Sequence, residues 1–284
     1  MLNIMPTISA VINTRNEEAN IRYCLESVKW CDEIIVVDME SEDHTVAIAR
    51  EYTDKIYTHE KVLAFDIARK FAAEKATGDW VLLIDADELV PQKVSLILKD
   101  IAVKDSTDIV YLPFKTYIMG TWIQHTGWWP DYHPRFFKKS KMEFVETVHA
   151  FMREAPDARK HHLPAVASNA IEHFAYLDSE HFITKLNRYT NIEAQHLLDA
   201  QTSFSLCRMF THAVKEFILR FLVLRGYKDG YHGFFLSLMM SFYRILTYIK
   251  LWEKRQNIKS SRRADYENLK NNITSEYQQS RKVL

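Results

Sequence analysis

Residues 80–88 read Trp80-Val-Leu-Leu-Ile84-Asp85-Ala86-Asp87-Glu88, an apolar run that ends abruptly in carboxylates. Five successive residues suited to a fully buried strand predict a central strand of a parallel sheet, covered by helices on both faces. Ligands of open α/β sheets sit outside the carboxyl ends of such strands, so Asp85 and Asp87 fall where a ligand is expected. Two carboxylates separated by one small residue can hold a divalent cation, Mn²⁺ or Mg²⁺, while that cation bridges two phosphates. An Asp-x-Asp pair also arises by chance or as a helix cap, and its place at a strand end is what gives it weight.

Working outward, short β-branched runs at 8–12, 34–38, 55–58 and 109–114 join 80–84 as expected strands. Ile21, Cys24, Leu25 and Val28 recur at helical spacing after Asn16 as the expected cap; a second helix is expected from Asp43 and a third over 64–76. The order βαβαβαβ predicts an α/β fold with a Rossmann-like, mostly parallel sheet. The first strand runs into Asn13-Thr14-Arg15-Asn16-Glu17 and the second ends at Asp38. Three strands thus deliver Thr14, Glu17, Asp38, Asp85 and Asp87 to one sheet edge, a stronger signal than either aspartate alone. No G-x-G-x-x-G or Walker-type run follows the first strand, which removes most support for dinucleotide and P-loop readings.

Composition narrows the classes further. Lys+Arg and Asp+Glu both total 37 in 284 residues, so global charge does not point to nucleic acid. Three cysteines, Cys24, Cys31 and Cys207, argue against a disulfide framework and fit a reducing compartment. The first residues lack the basic start and long apolar run of a signal peptide, so a cytoplasmic protein is expected. Beyond Phe114 the pattern changes: Trp122, Trp128, Trp129, Tyr132, Phe136 and Phe137 crowd a stretch rich in Gly and Pro, read as an irregular aromatic cleft wall or as a second layer of core. From about Ser179 helical periodicity dominates. The expected division is a catalytic domain over 1–175 and a helical region over 176–284.

The strings Val-Ile-Asn-Thr14-Arg-Asn16-Glu17-Glu-Ala-Asn-Ile21, Val-Val-Asp38 and Ala-Thr-Gly-Asp-Trp80-Val-Leu-Leu-Ile-Asp85-Ala-Asp87-Glu88 together resemble glycosyltransferase family 2. Gly127-Trp-Trp-Pro-Asp131, Arg135-Phe-Phe137, Val148-His149, His173 with Lys185, and Arg225-Gly-Tyr-Lys-Asp-Gly230 are similar to its branch of lipopolysaccharide core β-1,4-glucosyltransferases. The resemblance implies a GT-A fold and inverting transfer of a sugar from a nucleotide diphosphate donor, a UDP-hexose, to a glycan or glycolipid acceptor. It further implies that Thr14, Asn16, Glu17, Asp38, Arg69, Asp85 and Ala86 bind the nucleotide sugar, and that Asp85 and Asp87 hold the cation, with His149 either completing its shell or serving as a hydrogen-bonded structural histidine. Lys70, the segment Asp38-Met-Glu-Ser41 and Ala150 depart from the family pattern.

An inverting transfer needs one group to take the acceptor proton opposite the leaving diphosphate. Asp131, Glu146 and His133 qualify by type, with Asp131 favoured because stacking faces beside it could position a sugar; an Asp after Pro130 could equally stabilise a turn. His161 and His162 read as surface residues. Over 203–263, twelve basic residues face three acidic ones, nine net positive charges beside apolar runs that Arg244 interrupts. That combination predicts an interfacial anchor on anionic lipid at the inner face of the cell membrane, with a helical core or homo-oligomer contact as the alternative. Against the transferase stand a phosphohydrolase, which ordinarily carries Asp-x-Asp after its first strand rather than its fourth; a nucleotidyltransferase; and a non-catalytic nucleotide-sugar or membrane-binding scaffold.

Overall fold

The structure, a computed structural model, describes residues 5–60, 65–147 and 150–280. All five expected strands form. β1 (Ile8–Thr14), β2 (Glu33–Asp38), β3 (Ile56–Thr58) and β4 (Trp80–Asp85) pair in parallel in the order β3-β2-β1-β4. Every residue of β1 and all but the last of β4 are buried, as expected of mostly apolar strands covered on both faces, with the polar Ser9, Asn13 and Thr14 of β1 buried among them. Alternate side chains serve opposite faces. Ile8, Ala10, Ile12, Leu82 and Ile84 pack with α1 (Ile21–Val28), while Val11, Val81 and Leu83 pack with α3 (Phe65–Lys75).

The helix of the first crossover presents Ile21, Cys24, Leu25 and Val28 inward as the spacing predicts, but Asn16 does not cap it. The helix starts at Ile21 after Asn20. Asn16 instead takes a left-handed conformation (φ 53°), its backbone N–H donating to Ser41 Oγ and its side chain accepting from the Glu42 N–H. Asn tolerates that conformation, and the loop is thereby tied to the end of the next strand. The second helix, α2, spans Thr45–Ala49, with Asp43 accepting from the Thr45 N–H ahead of it.

After β5 (Glu88–Leu89) and α4 (Gln92–Lys104), the chain adds β6 (Ile109–Ile118), β7 (Thr121–Trp122) and β8 (Asp131–Lys138). β8 inserts between β4 and β6, antiparallel to both, so the sheet is mixed though mostly parallel. Much of the aromatic stretch is therefore regular strand. Phe136 and Phe137 are fully buried, and Trp80 stacks on Phe136 at 4.6 Å. β9 (Met142–Thr147) and β10 (Ala150–Glu154) form a separate hairpin; β11 (Lys160–His162) and β12 (Ile171–Tyr176) join β6 in parallel.

The last strand ends at Tyr176 and the remainder is helical: α5 (Ser179–Asp199), α6 (Leu206–Ile218), α7 (Gly230–Arg255) and α8 (Ile258–Ser280). α7 packs against α5 and α6. Arg244, which breaks the apolar run in sequence, does not end the helix; it bridges Glu193 on α5 and Glu216 on α6. Lys250 is buried and donates to the Asn187 carbonyl and the Thr190 hydroxyl. The helical run Gly226–Arg255 is long and apolar enough to cross a membrane by length and composition, and a third of its most apolar window is buried inside the protein.

Candidate active site

Strand register decides which side chains meet. β1 pairs with β2 so that Thr14 lies beside Asp38, and with β4 so that Asn13 lies beside Asp85. Outside these strand ends opens a cavity of about 650 Å³ whose wall includes Thr14, Asn16, Glu17, Arg69, Asp85, Ala86, Asp87 and Asp131. Asp38 sits one strand away and is not part of that wall; its carboxylate accepts from the Ser41 N–H at 3.0 Å and closes the turn after β2. Glu146 lies on β9, but its side chain, like the whole of His149, falls outside the described residues.

Each carboxylate of the Asp85–Glu88 segment faces a countercharge, and Arg135 serves two of them. Asp85 Oδ2 receives Arg69 Nη2 at 2.6 Å and Arg135 Nη2 at 3.1 Å. Burial pushes the Asp85 carboxyl up, but the two guanidinium charges outweigh it and hold it well below the usual range. Glu88 accepts from Arg135 at 2.8 Å and from the Asp85 N–H at 2.9 Å, yet burial keeps its carboxyl raised. Asp87 faces His173 Nε2 at 3.7 Å and Lys185 Nζ at 3.6 Å. Burial again acts upward on Asp87, and His173 with Lys185 overrides it, so Asp87 stays ionised. Across the cavity burial, then the charge of Asp87, pushes Glu17 up to about 7.

Asp131, His133 and Arg135 alternate along β8 and all line the cavity, as a strand with one face toward it requires. His133 Nε2 stands 3.1 Å from Asp131 Oδ2. Burial raises the Asp131 carboxyl, but the hydrogen bond and charge of His133, with His173 and Arg135 beyond, lower it overall. Trp128 also lines the cavity and meets Tyr176 edge to face. The far wall is one face of α5, His181, Lys185, Arg188, Tyr189, Ile192 and His196 at helical spacing.

Asp87, Glu88 and His173 bring ligand atoms within 4.8 Å of one another. The sequence reading placed Asp85, Asp87 and His149 there. Several polar atoms of this wall are buried without a hydrogen-bond partner: Asn13 Oδ1 and Nδ2, Thr14 Oγ1, Asp85 Oδ1 and Arg135 Nη1. Each such group costs about 1–3 kcal/mol when left unsatisfied, so their concentration at one place marks a wall shaped for a polar ligand. The donor set, carboxylate oxygens and one imidazole, fits Mn²⁺ or Mg²⁺. Arg135, His173 and Lys185, to which residue-level reading assigned no role, line the cavity and pair with Asp85 and Asp87. The alternation of Asp131, His133 and Arg135 and the one-sided polar face of α5 were the available signals.

The family model for glycosyl transferase family 2 matches residues 9–157. An "Uncharacterized glycosyltransferase" of Rickettsia felis is 30% identical over 292 residues, covering 95% of this chain and 99% of its own. The lipopolysaccharide core biosynthesis glycosyltransferase LpsC of Rhizobium meliloti is 24% identical over 259 residues, 87% of this chain and 92% of its own. Among solved structures, the mannosyltransferase PcManGT of Pyrobaculum calidifontis, in complex with GDP-Man and Mn²⁺, superposes with a TM-score of 0.52 at 16% identity over 88% of each chain. Strand order, cavity and these likenesses agree: the chain belongs to glycosyl transferase family 2 and is a glycosyltransferase built on a GT-A fold.

Proposed function

We propose that this chain is an inverting hexosyltransferase that moves a sugar from a UDP-linked donor to a hydroxyl of a lipid-carried glycan such as lipopolysaccharide core. The observation that carries the reading is the concentration of unpartnered buried polar atoms around Asp85 and Asp87, at the edge where β1, β2 and β4 end. The name of the Rhizobium meliloti relative supports the acceptor class. Thr14, Asn16 and Glu17, with Asp38 beyond them, form the nucleoside end of the cleft, and Arg69 and Arg135 stand nearest the phosphates. Asp87 and His173, with Asp85 and Glu88 beside them, would hold a divalent cation, which supplies positive charge to the departing diphosphate. Asp131 takes the proton of the acceptor hydroxyl. That oxygen forms its bond to the anomeric carbon as the bond to the diphosphate breaks, and the electron pair leaves on the diphosphate oxygen. UDP release from a panel of nucleotide sugars with Mn²⁺ or Mg²⁺ tests the reading: release from at least one UDP-hexose is expected. A chain that binds UDP but releases none from any donor is the scaffold instead.

Residues 1–175 form the catalytic domain in this reading, and 176–284 carry the contact with a membrane surface in the cytoplasm. Leu206, Phe210, Val214 and Ile218 recur every four residues along α6 and are all exposed. Leu222, Val223 and Leu224 continue that apolar face into the following turn, and Tyr231, Phe235, Leu238 and Phe242 carry it along α7. Apolar patches of this extent mark interaction sites. Exposed Arg208, Lys215, Arg225 and Lys228 lie on the same segments, while Glu216 is buried against Arg220 and Arg244, so the outward charge is positive. Anionic lipid satisfies both features. Sedimentation with phosphatidylglycerol vesicles should retain the protein, and raising salt from 0.1 to 0.5 M should weaken retention by about tenfold or more. Retention indifferent to lipid charge and salt points to a homo-oligomer contact or to insertion.

A further inference from the structure

The Arg225–Gly230 segment has a role in the structure that the transfer chemistry does not use. Asp229 immediately precedes α7, where an aspartate ordinarily caps its own helix, yet its side chain makes no cap bond there. It turns instead to the loop between β7 and β8, more than a hundred residues earlier in the chain. Its carboxylate, 6% exposed, accepts from the backbone N–H of Gln124 at 3.3 Å and of His125 at 2.9 Å. It also accepts from the Thr126 hydroxyl at 3.1 Å and lies 2.9 Å from His125 Nδ1. Four donors on one buried carboxylate form an unusually dense local restraint, because bonds to an ionised acceptor are about twice as strong as neutral ones.

The backbone on either side is held to the same segment. Arg220 Nη1 donates to the Thr126 carbonyl at 2.7 Å, and the Thr126 N–H donates to the Leu224 carbonyl at 3.1 Å. Close approach needs glycine. At Gly127, φ is +84°, and an added Cβ would stand 3.0 Å from Leu224 Cδ1; at Gly226 it would stand 2.7 Å from the Arg220 carbonyl. Arg220 is in turn fixed by Glu216, which Arg244 joins to Glu193 on α5, the helix that forms the far wall of the cavity. One residue past Gly127, Trp128 lines the cavity, and three further on is Asp131.

We propose that Asp229 is a positioning residue for transfer: by fixing loop 124–127 from the helical region, it sets where Trp128 and Asp131 stand in the cavity. The inference rests on the reading of Asp131 as the base. Displacing a reacting group by about 1 Å can cost on the order of a hundredfold in rate, so a distant carboxylate can control turnover without touching substrate.

The test is a double-variant cycle on UDP-glucose hydrolysis by the full chain with Mn²⁺, where water takes the place of the acceptor and its proton goes to the base. Asp229→Asn, which keeps size and removes the charge, is expected to slow hydrolysis by about tenfold or more with UDP affinity unchanged, and to add no loss in the Asp131→Asn background. Thr126→Val, which removes one of the four bonds, should show the same pattern more weakly and serves if Asp229→Asn does not fold. A merely structural role predicts something else. The same fold-loss then recurs in both backgrounds and UDP-binding capacity drops in proportion, which overturns the proposal, as does unchanged hydrolysis in Asp229→Asn. Failure of the underlying reading looks different: the unaltered chain hydrolyses no donor, or Asp131→Asn by itself retains normal turnover.

Discussion

Asp87→Ala is expected to lower donor turnover by on the order of a hundred- to a thousandfold and to abolish the Mn²⁺ dependence of UDP binding, with the fold intact. The carboxylate stands between His173 and Lys185 at the mouth of β4, and the opposite charge it presents is what fits that place to a cation bound to diphosphate. Two electrostatic changes offset one another in the variant. Loss of Asp87 leaves His173 and Lys185 without their nearest anion, but it also relieves Glu17, whose carboxyl stands at about 7 through burial and then through the charge of Asp87. The melting temperature should therefore move little, while calorimetry of UDP with and without Mn²⁺ should change decisively. Asp87→Asn, which retains hydrogen bonding and loses charge, should behave like the alanine variant. Normal turnover in either removes Asp87 from the cation site.

Asp131→Asn is expected to reduce transfer by on the order of a hundredfold or more while UDP affinity stays near its original value. The substitution keeps size and can still meet His133, so what is lost is basicity. A base must be ionised before it can accept a proton. His133, His173 and Arg135 hold the Asp131 carboxyl low against the upward push of burial, so it carries its charge throughout the neutral range. Glu146→Gln, near in sequence and alike in chemistry, is the internal comparison. If Glu146→Gln is inactive and Asp131→Asn turns over normally, the base is Glu146, and Asp131 only lines the cavity at the start of β8.

Much of the strand-end edge of the cavity was legible without coordinates. Short apolar runs located β1, β2 and β4, because parallel strands covered on both faces are built largely of apolar residues. Once they lie side by side, Thr14, Asp38, Asp85 and Asp87 share one edge whatever the loops do. Local signals did less well where the chain could choose between partners. Asn16 looked like a helix cap, but the loop found a better arrangement with Ser41 and Glu42 in the turn after the neighbouring strand, leaving the helix to begin at Ile21. Phe136 and Phe137 could be read as cleft wall or as core, and the insertion of β8 between β4 and β6 decided for core.

The surroundings of these carboxylates were decided by tertiary structure. Arg135 reaches Asp85 and Glu88 because β8 runs antiparallel beside β4, a pairing that nothing in residues 127–138 specifies by itself. His173 and Lys185 reach Asp87 because β12 pairs with β5 and α5 then folds back over the cavity. Asp229 meets residues 124–126 across more than a hundred positions of chain. Sequence alone therefore determined the fold class, the sheet edge and the carboxylates that mark it, since these follow from near-neighbour periodicity. The countercharges, the orientation of Asp131 and the support of the loop before it depend on contacts between segments far apart in the chain, and those are fixed only when packing has selected one topology from the several that the same local patterns allow.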